Sequence, residues 1–240
     1  MRMRAIEAGL LALAACGSSA TTGKQASAAT EAADGSGFVT TPVATFNSPW
    51  AMDFLPGSKL AIVTEKPGRI WLVDLANGHK RSVSGAPRVV VSDQGGLFDV
   101  KLAPTFATDR MVYFTYAEPS SNGGSGLALA RGILALNASG ARLQNLSVLW
   151  RDPEGGEGGQ FGAIIAFAPD GKSLFLSSGE RQRFTPAQDE GQPLGKILHL
   201  TLEGKPAADN PMAGRTGAPA VMITDPPEDT LAPSRPGSGP

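Results

Sequence analysis

Among the 240 residues of this chain, the stretch with the most chemistry in it is Gln94-Gly95-Gly96-Leu97-Phe98-Asp99-Val100. A glycine pair ahead of a strand lets the backbone approach a ligand or a neighbouring strand. Gln94 places there an amide that both donates and accepts. Other reactive side chains are few. The histidines are His79, in the turn Asn77-Gly78-His79-Lys80, and His199, inside the apolar run Ile197–Leu200. Neither has a partner readable from spacing, and the expected reading is a surface residue for the first and a strand residue for the second. The single cysteine, Cys16, excludes an internal disulfide. No zinc spacing, calcium loop, GxSxG or phosphate loop is present. The segment Ser178-Gly179-Glu180-Arg181-Gln182-Arg183 mixes both charges, and by itself reads as a solvated loop.

The elements that must carry these residues are strands. From Phe38 onward the apolar pattern has period two, in runs of five to eight residues bounded by Gly, Pro, Asn and Asp. Expected strands are 51–55, 60–65, 69–74, 97–103, 111–117, 127–136, 147–151, 163–168, 174–177 and 196–202. A unit recurs three times: a strand ending in Pro56, Pro104 or Pro169, a turn, a second apolar strand, and a third strand led by Gly68, Gly132 or Gly195. Antiparallel sheets repeating every 40–50 residues or so are the mark of propeller blades. The fold expected is therefore all-β, a β-propeller of about three to four blades. Propellers close with four to eight, so an open arc is expected to expose its end blades and self-associate through their faces and edges.

Composition bounds the rest. Gly (30) and Pro (19) suit a turn-rich β protein. A net charge of −1 with no basic block gives nucleic acid no surface. Residues 1–16 read as an export signal: Arg2 and Arg4, an apolar run from Ala8 to Ala15, then Leu13-Ala14-Ala15-Cys16, which matches a bacterial lipobox with Cys16 as the lipidated residue. The alternative is a chance cysteine in an Ala-rich leader, and Glu7 speaks for it. Residues 17–37, rich in Ser, Thr, Ala and Gly, read as a disordered tether. Residues 38–212 read as the partial propeller. Residues 213–240 read as a disordered Pro-rich tail, with one short apolar run at 220–224.

The stretch from Gln94 closely resembles the GQGGLLDVxLxPxF signature of the glucose/sorbosone dehydrogenase family, and the resemblance extends from about Ser48 to Met212. It implies a six-bladed propeller, of which this chain shows the first part and then a tail that resembles a frameshifted or prematurely ended reading, with a natural short variant as the alternative. It also implies oxidation of the C1 hydroxyl of aldose sugars with pyrroloquinoline quinone (PQQ), Ca²⁺ and an electron acceptor. Family members carry a base His in a segment that aligns without a gap to Gly158-Gly159-Gln160-Phe161-Gly162, where Gln160 takes its place. An amide has no basic lone pair near neutral pH, so impaired or absent turnover is expected. Ile164 falls where the family carries Arg. The resemblance assigns Gln94 to sugar and cofactor, with an amide satisfying backbone groups as the alternative. It makes Arg181, then Arg183, the cation for a PQQ carboxylate. It gives Gln188-Asp189 the role of shaping that loop. A lipid-anchored, periplasmic protein is expected, with the outer membrane favoured because Gly17 follows Cys16. Two other readings stay open: a non-catalytic propeller that binds a ligand or protein at its loops, and a scaffold that recruits another chain by strand addition.

Overall fold

The computed structural model describes residues 39–121, 123–137, 140–215 and 222–223. The leader, Cys16, the tether and most of the Pro-rich tail lie outside the described residues. The chain divides into two units, 1–42 and 43–240, and every strand among the described residues belongs to the second. Among the described residues no helix is long and apolar enough to cross a membrane.

The three repeats are three four-stranded antiparallel blades. Blade 1 is β1 (Pro49–Phe54), β2 (Leu60–Glu65), β3 (Arg69–Asp74) and β4 (Lys80–Ser84). Blade 2 is β5 (Leu97–Leu102), β6 (Met111–Pro119), β7 (Ser125–Asn137) and β8 (Gly140–Arg151). Blade 3 is β9 (Gly162–Phe167), β10 (Ser173–Ser178), β11 (Lys196–Thr201) and β12 (Met222–Ile223). The first strands β1, β5 and β9 lie side by side as the inner edge of the arc. At the outer edge β4 pairs in parallel with β8, through Val83↔Ala141 and Ser84↔Arg142, and fuses blades 1 and 2 into one sheet.

Several elements differ from the sequence expectation, among them β8, which begins at Gly140 and not at Ser147, and a single helical turn at Phe106–Asp109. β4 was not anticipated, because Lys80-Arg81-Ser82-Val83-Ser84 buries only Val83. β7 begins at Ser125, so Gly132 lies inside that strand opposite Val112 instead of leading it. β12 pairs Met222 with Leu198 and Ile223 with Ile197. It falls within 213–240, the stretch read as a disordered tail, and carries blade 3 beyond Met212.

Each blade buries one face on the next. Ile62, Ile70 and Leu72 of blade 1 meet Val100, Val112 and Phe114 of blade 2. Phe98, Tyr113 and Leu129 of blade 2 meet Ile165, Leu176 and Leu198 of blade 3. Each such side chain contributes about 1.5–3 kcal/mol. Polar groups set the register between inner strands. Asp53 on β1 accepts the N–H of Leu102 at 2.9 Å. Asp99 on β5 accepts the N–H of Ile165 at 2.8 Å and of Val100 at 2.9 Å.

Asp99 is 3% exposed, and its burial pushes the carboxyl above the ordinary 3.8 despite these N–H groups and the charge of Lys101, with Asp53 adding to the rise. The folded state then holds a proton that the unfolded state releases. Stability from this group is complete below pH 3.8 and is lost as pH rises through the folded value. The stability advantage of the parent over Asp99→Asn, measured by denaturant titration, is expected to narrow across that window. A constant difference would show that Asp99 does not titrate this way.

Candidate functional site

Aromatic side chains mark one end of the inner strands. Trp50 and Phe98 each stand six residues ahead of their blade's proline, and Phe161 sits just before β9. Trp50 to Phe98 and Phe98 to Phe161 are both 5.0 Å between ring centroids, so one row of rings crosses all three blades. Each ring contributes its hydrophobic area and an offset contact worth about 0.5–1.5 kcal/mol. This row was not anticipated; its signal was the aromatic residue heading each first strand.

The loops above this row carry the expected site residues. Gly96 is forced to be glycine, because a Cβ there would collide with Lys66 O, the acceptor for Leu97 N at 3.0 Å. The glycine pair thus brings β5 against the β2–β3 turn of blade 1, the close backbone approach its sequence implied. Gln94 is exposed and its Oε1 accepts the N–H of Gln160 at 2.7 Å. Two candidate residues separated by 66 positions therefore meet directly. The bond is of the backbone-satisfying kind, but to the Gly158–Phe161 loop and not to Gln94's own turn. Gln160 is exposed and sits at φ +48°, a left-handed conformation. Its neighbour Gly159 donates its N–H to Gln182 Oε1 at 3.0 Å.

Arg181, which the resemblance makes the cation for a PQQ carboxylate, is turned inward. It is 2% exposed, with its guanidinium turned into the Gly-rich loop. Nε donates to Gly159 O at 3.1 Å, and Nη2 to Gly158 O at 2.8 Å and Gly156 O at 3.2 Å. Nη1 donates to Ser125 O at 2.9 Å and to Asp152 Oδ2 at 3.4 Å, and the cation lies 3.9 Å from the Phe161 ring. Burial draws its pKa below the ordinary value while Asp152 opposes that shift. Arg181 is a clamp for residues 156–161 and so positions Gln160. The inward turn follows from left-handed backbone at Arg181, Gln182 and Phe184 (φ 60°, 59° and 63°), held by Glu180, which accepts from Gln182 N and Phe184 N. Arg183, half-buried, donates to Gly155 O and is the outer cation of the pair.

The remaining candidates are structural. Thr185-Pro186-Ala187-Gln188-Asp189 forms a single 3-10 turn, with Asp189 accepting from Gly191 at 2.7 Å. Lys196 pins that turn through Pro186 O at 2.9 Å and Ala187 O at 2.7 Å. His79 is exposed in its turn, as read. His199 has partners that spacing did not reveal: Nε2 is 2.8 Å from Ser173 Oγ, Nδ1 is 3.6 Å from Asp209, and the ring stacks on Phe175 at 4.4 Å. Its backbone oxygen accepts from Asn210 Nδ2, so this cluster holds the Ala207–Asn210 turn. Among the described residues no three His, Cys, Asp or Glu side chains gather as metal ligands.

Known proteins match this arrangement over most of the chain. The family described as Glucose / Sorbosone dehydrogenase matches residues 46–224. Aldose sugar dehydrogenase YliI of Escherichia coli (strain K12) is 34% identical over 176 residues, covering 72% of this chain and 46% of that protein. A glucose dehydrogenase crystal structure aligns at 37% identity and TM-score 0.68, over 73% of this chain and 50% of that one. The PQQ-bound aldose sugar dehydrogenase of Streptomyces coelicolor aligns at 31% and 0.64, over 75% and 51%. The chain spans about half the length of these relatives. With the family's sequence profile covering blades 1 to 3 and its solved members sharing the blade arrangement, the chain belongs to the glucose/sorbosone dehydrogenase family.

Proposed function

We propose that this chain supplies three blades of a PQQ-type aldose dehydrogenase ring, and that Gln160 leaves it able to hold sugar with little or no oxidation of the C1 hydroxyl. The observation that carries this reading is the Gln94–Gln160 contact at the loop end of the inner strands. Gln160 stands there where the family has its base, and a positioned base contributes about 10²–10⁴ in rate. An amide on that loop can orient a sugar hydroxyl but cannot take its proton.

The residues present do not by themselves fit PQQ. Its three carboxylates call for several cations, whereas Arg181 is committed to backbone oxygens and Asp152, and Arg183 and Lys66 at the loop rim already donate to Gly155 O and Asp93 O. Cofactor and Ca²⁺ would therefore need groups from outside these three blades. The test is dye-linked oxidation of an aldose with added PQQ and Ca²⁺, next to a relative that carries the His. A rate within tenfold of that relative would end the reading. The same Gln160 favours the second reading, a propeller that binds a ligand without catalysis, which requires saturable sugar binding with no dye reduction.

The export leader belongs to the same proposal, with Cys16 as the lipidated residue and the periplasmic face of the outer membrane as its place. Cys16→Ser is expected to move the protein from the membrane pellet to the soluble fraction or leave its leader uncleaved. An intact leader on the parent chain in the cytoplasm would overturn it.

A further inference from the structure

Phe184 is the most exposed large apolar side chain among the described residues, at 82%, and its backbone sits at φ 63°. A positive φ in a bulky residue is a genuine outlier, and such strain is concentrated where a ligand is clamped. Burial does not explain the residue, because its ring stands in water. Turn geometry does not explain it either, since glycine takes this conformation without strain. Four bonds hold the bend. Glu180 accepts Gln182 N at 3.0 Å and Phe184 N at 2.6 Å, Arg183 N donates to Glu180 O at 3.1 Å, and Thr185 N donates to Arg183 O at 2.7 Å. Pro186 follows, buried at the start of the 3-10 turn that Lys196 pins. The ring is thus presented from a fixed loop, which loses little further freedom when a ligand contacts it.

That loop is fastened to the candidate site. Gln182 Oε1 accepts the N–H of Gly159, the residue before Gln160, and Arg183 donates to Gly155 O. Three exposed residues with amide side chains, Gln94, Gln160 and Gln182, therefore meet on the Gly159–Gln160 segment, and Gln182 is two residues from Phe184. An amide donates and accepts without charge, which suits hydroxyl groups better than carboxylate or phosphate. The cations of this rim, Lys66 and Arg183, are already given to Asp93 O and Gly155 O. An exposed aromatic ring beside neutral amides matches a ligand with a hydroxyl-lined edge and a C–H face. A closed sugar ring has both.

We propose that Phe184 is the platform on which the C–H face of a pyranose lies while the amides around Gln160 bond its hydroxyls, and that this ring makes the site selective for closed aldoses over open-chain polyols. The inference rests on the sugar holding proposed above and adds its specificity. An alditol carries the same run of hydroxyls as its aldose but has no ring, so it offers a flat aromatic no fixed apolar face. The hydroxyl contacts serve both ligands, and the platform serves one. Its worth is set by apolar area: roughly 50 Å² taken from water is about a tenfold gain in affinity.

The test is a ligand-observed NMR titration of the full chain, without cofactor or dye, with D-glucose and its alditol glucitol side by side. The parent should bind glucose about tenfold more tightly than glucitol. Phe184→Ala should weaken glucose about tenfold and leave glucitol within about twofold, so that the discrimination disappears. It should melt within about 2 °C of the parent, because the ring it removes is exposed. Phe184→Tyr keeps a ring and should keep the discrimination, whereas Phe184→Gly relieves the backbone strain and should lose it. A purely structural residue would show the reverse, with both ligands weakened together and glycine tolerated. If Phe184→Ala binds glucose as the parent does, or loses both ligands equally, the platform is overturned while the proposed sugar holding stands. A parent that binds neither ligand overturns both.

Discussion

Arg181→Ala is expected to lower the unfolding free energy by about 3–5 kcal/mol, the usual cost of removing one partner of a buried ion pair. For a chain of this size that is a fall of roughly 10 °C or more in Tm. The side chains of Arg181 and Asp152 are 1% and 0% exposed, so the substitution leaves the carboxyl buried without its cation. It also takes a donor from the oxygens of Ser125, Gly156, Gly158 and Gly159, which now share the guanidinium, although Gly156 O keeps the N–H of Ser125. Arg181→Lys keeps the charge but offers three rotatable donors in place of a planar fork, and should recover less than half of the loss. Arg183→Ala, removing one bond at a half-exposed position, should cost no more than about 1 kcal/mol. Thermal melts of the three variants decide the matter. If Arg181→Ala melts with the parent while ligand binding at the loops disappears, the residue is a ligand contact after all and the clamp assignment fails.

Arg181 also shows where the sequence stops being informative. A charged loop after a strand reads as solvated, and the reading changes only when three non-glycine bends within four residues turn the side chain inward. Left-handed backbone at Arg181, Gln182 and Phe184 has no local signature, because none of these residue types prefers it. The blades were legible for the opposite reason. Period-two patterning, the Pro after each first strand and the Gly-led turns act within a few residues, and they placed ten of the twelve strands among the described residues. The two that escaped, β4 and β12, offer too little pattern: one has a single buried residue, and the other is two residues long in a Pro-rich stretch. Gln94 and Gln160 were each readable as candidates. Their contact was not, since it spans 66 residues and depends on the docking of blade 3 against blade 2.

That contact makes Gln160→His the decisive substitution for catalysis. The backbone is ready for it: φ +48° is a conformation that His enters more readily than most residues, and the N–H to Gln94 Oε1 bond does not involve the side chain. An imidazole there has a pKa near 6.5, able to take the C1 hydroxyl proton at neutral pH where the amide cannot. In the chain alone the gain in dye-linked turnover should be small, because on the function proposed above the further cations a tricarboxylate cofactor needs come from outside the described blades. Fusing the remaining blades of a His-bearing relative after blade 3 supplies them. In that chimera the parent Gln160 should bind PQQ with little turnover, and Gln160→His should raise kcat about 10²–10⁴-fold while KM for the sugar changes little. The gained activity should climb with pH through the imidazole pKa, a profile that a merely better-packed loop would not produce. If the Gln160 chimera oxidises sugar as fast as the His variant, the proton goes elsewhere and Gln160 does not stand at the base position.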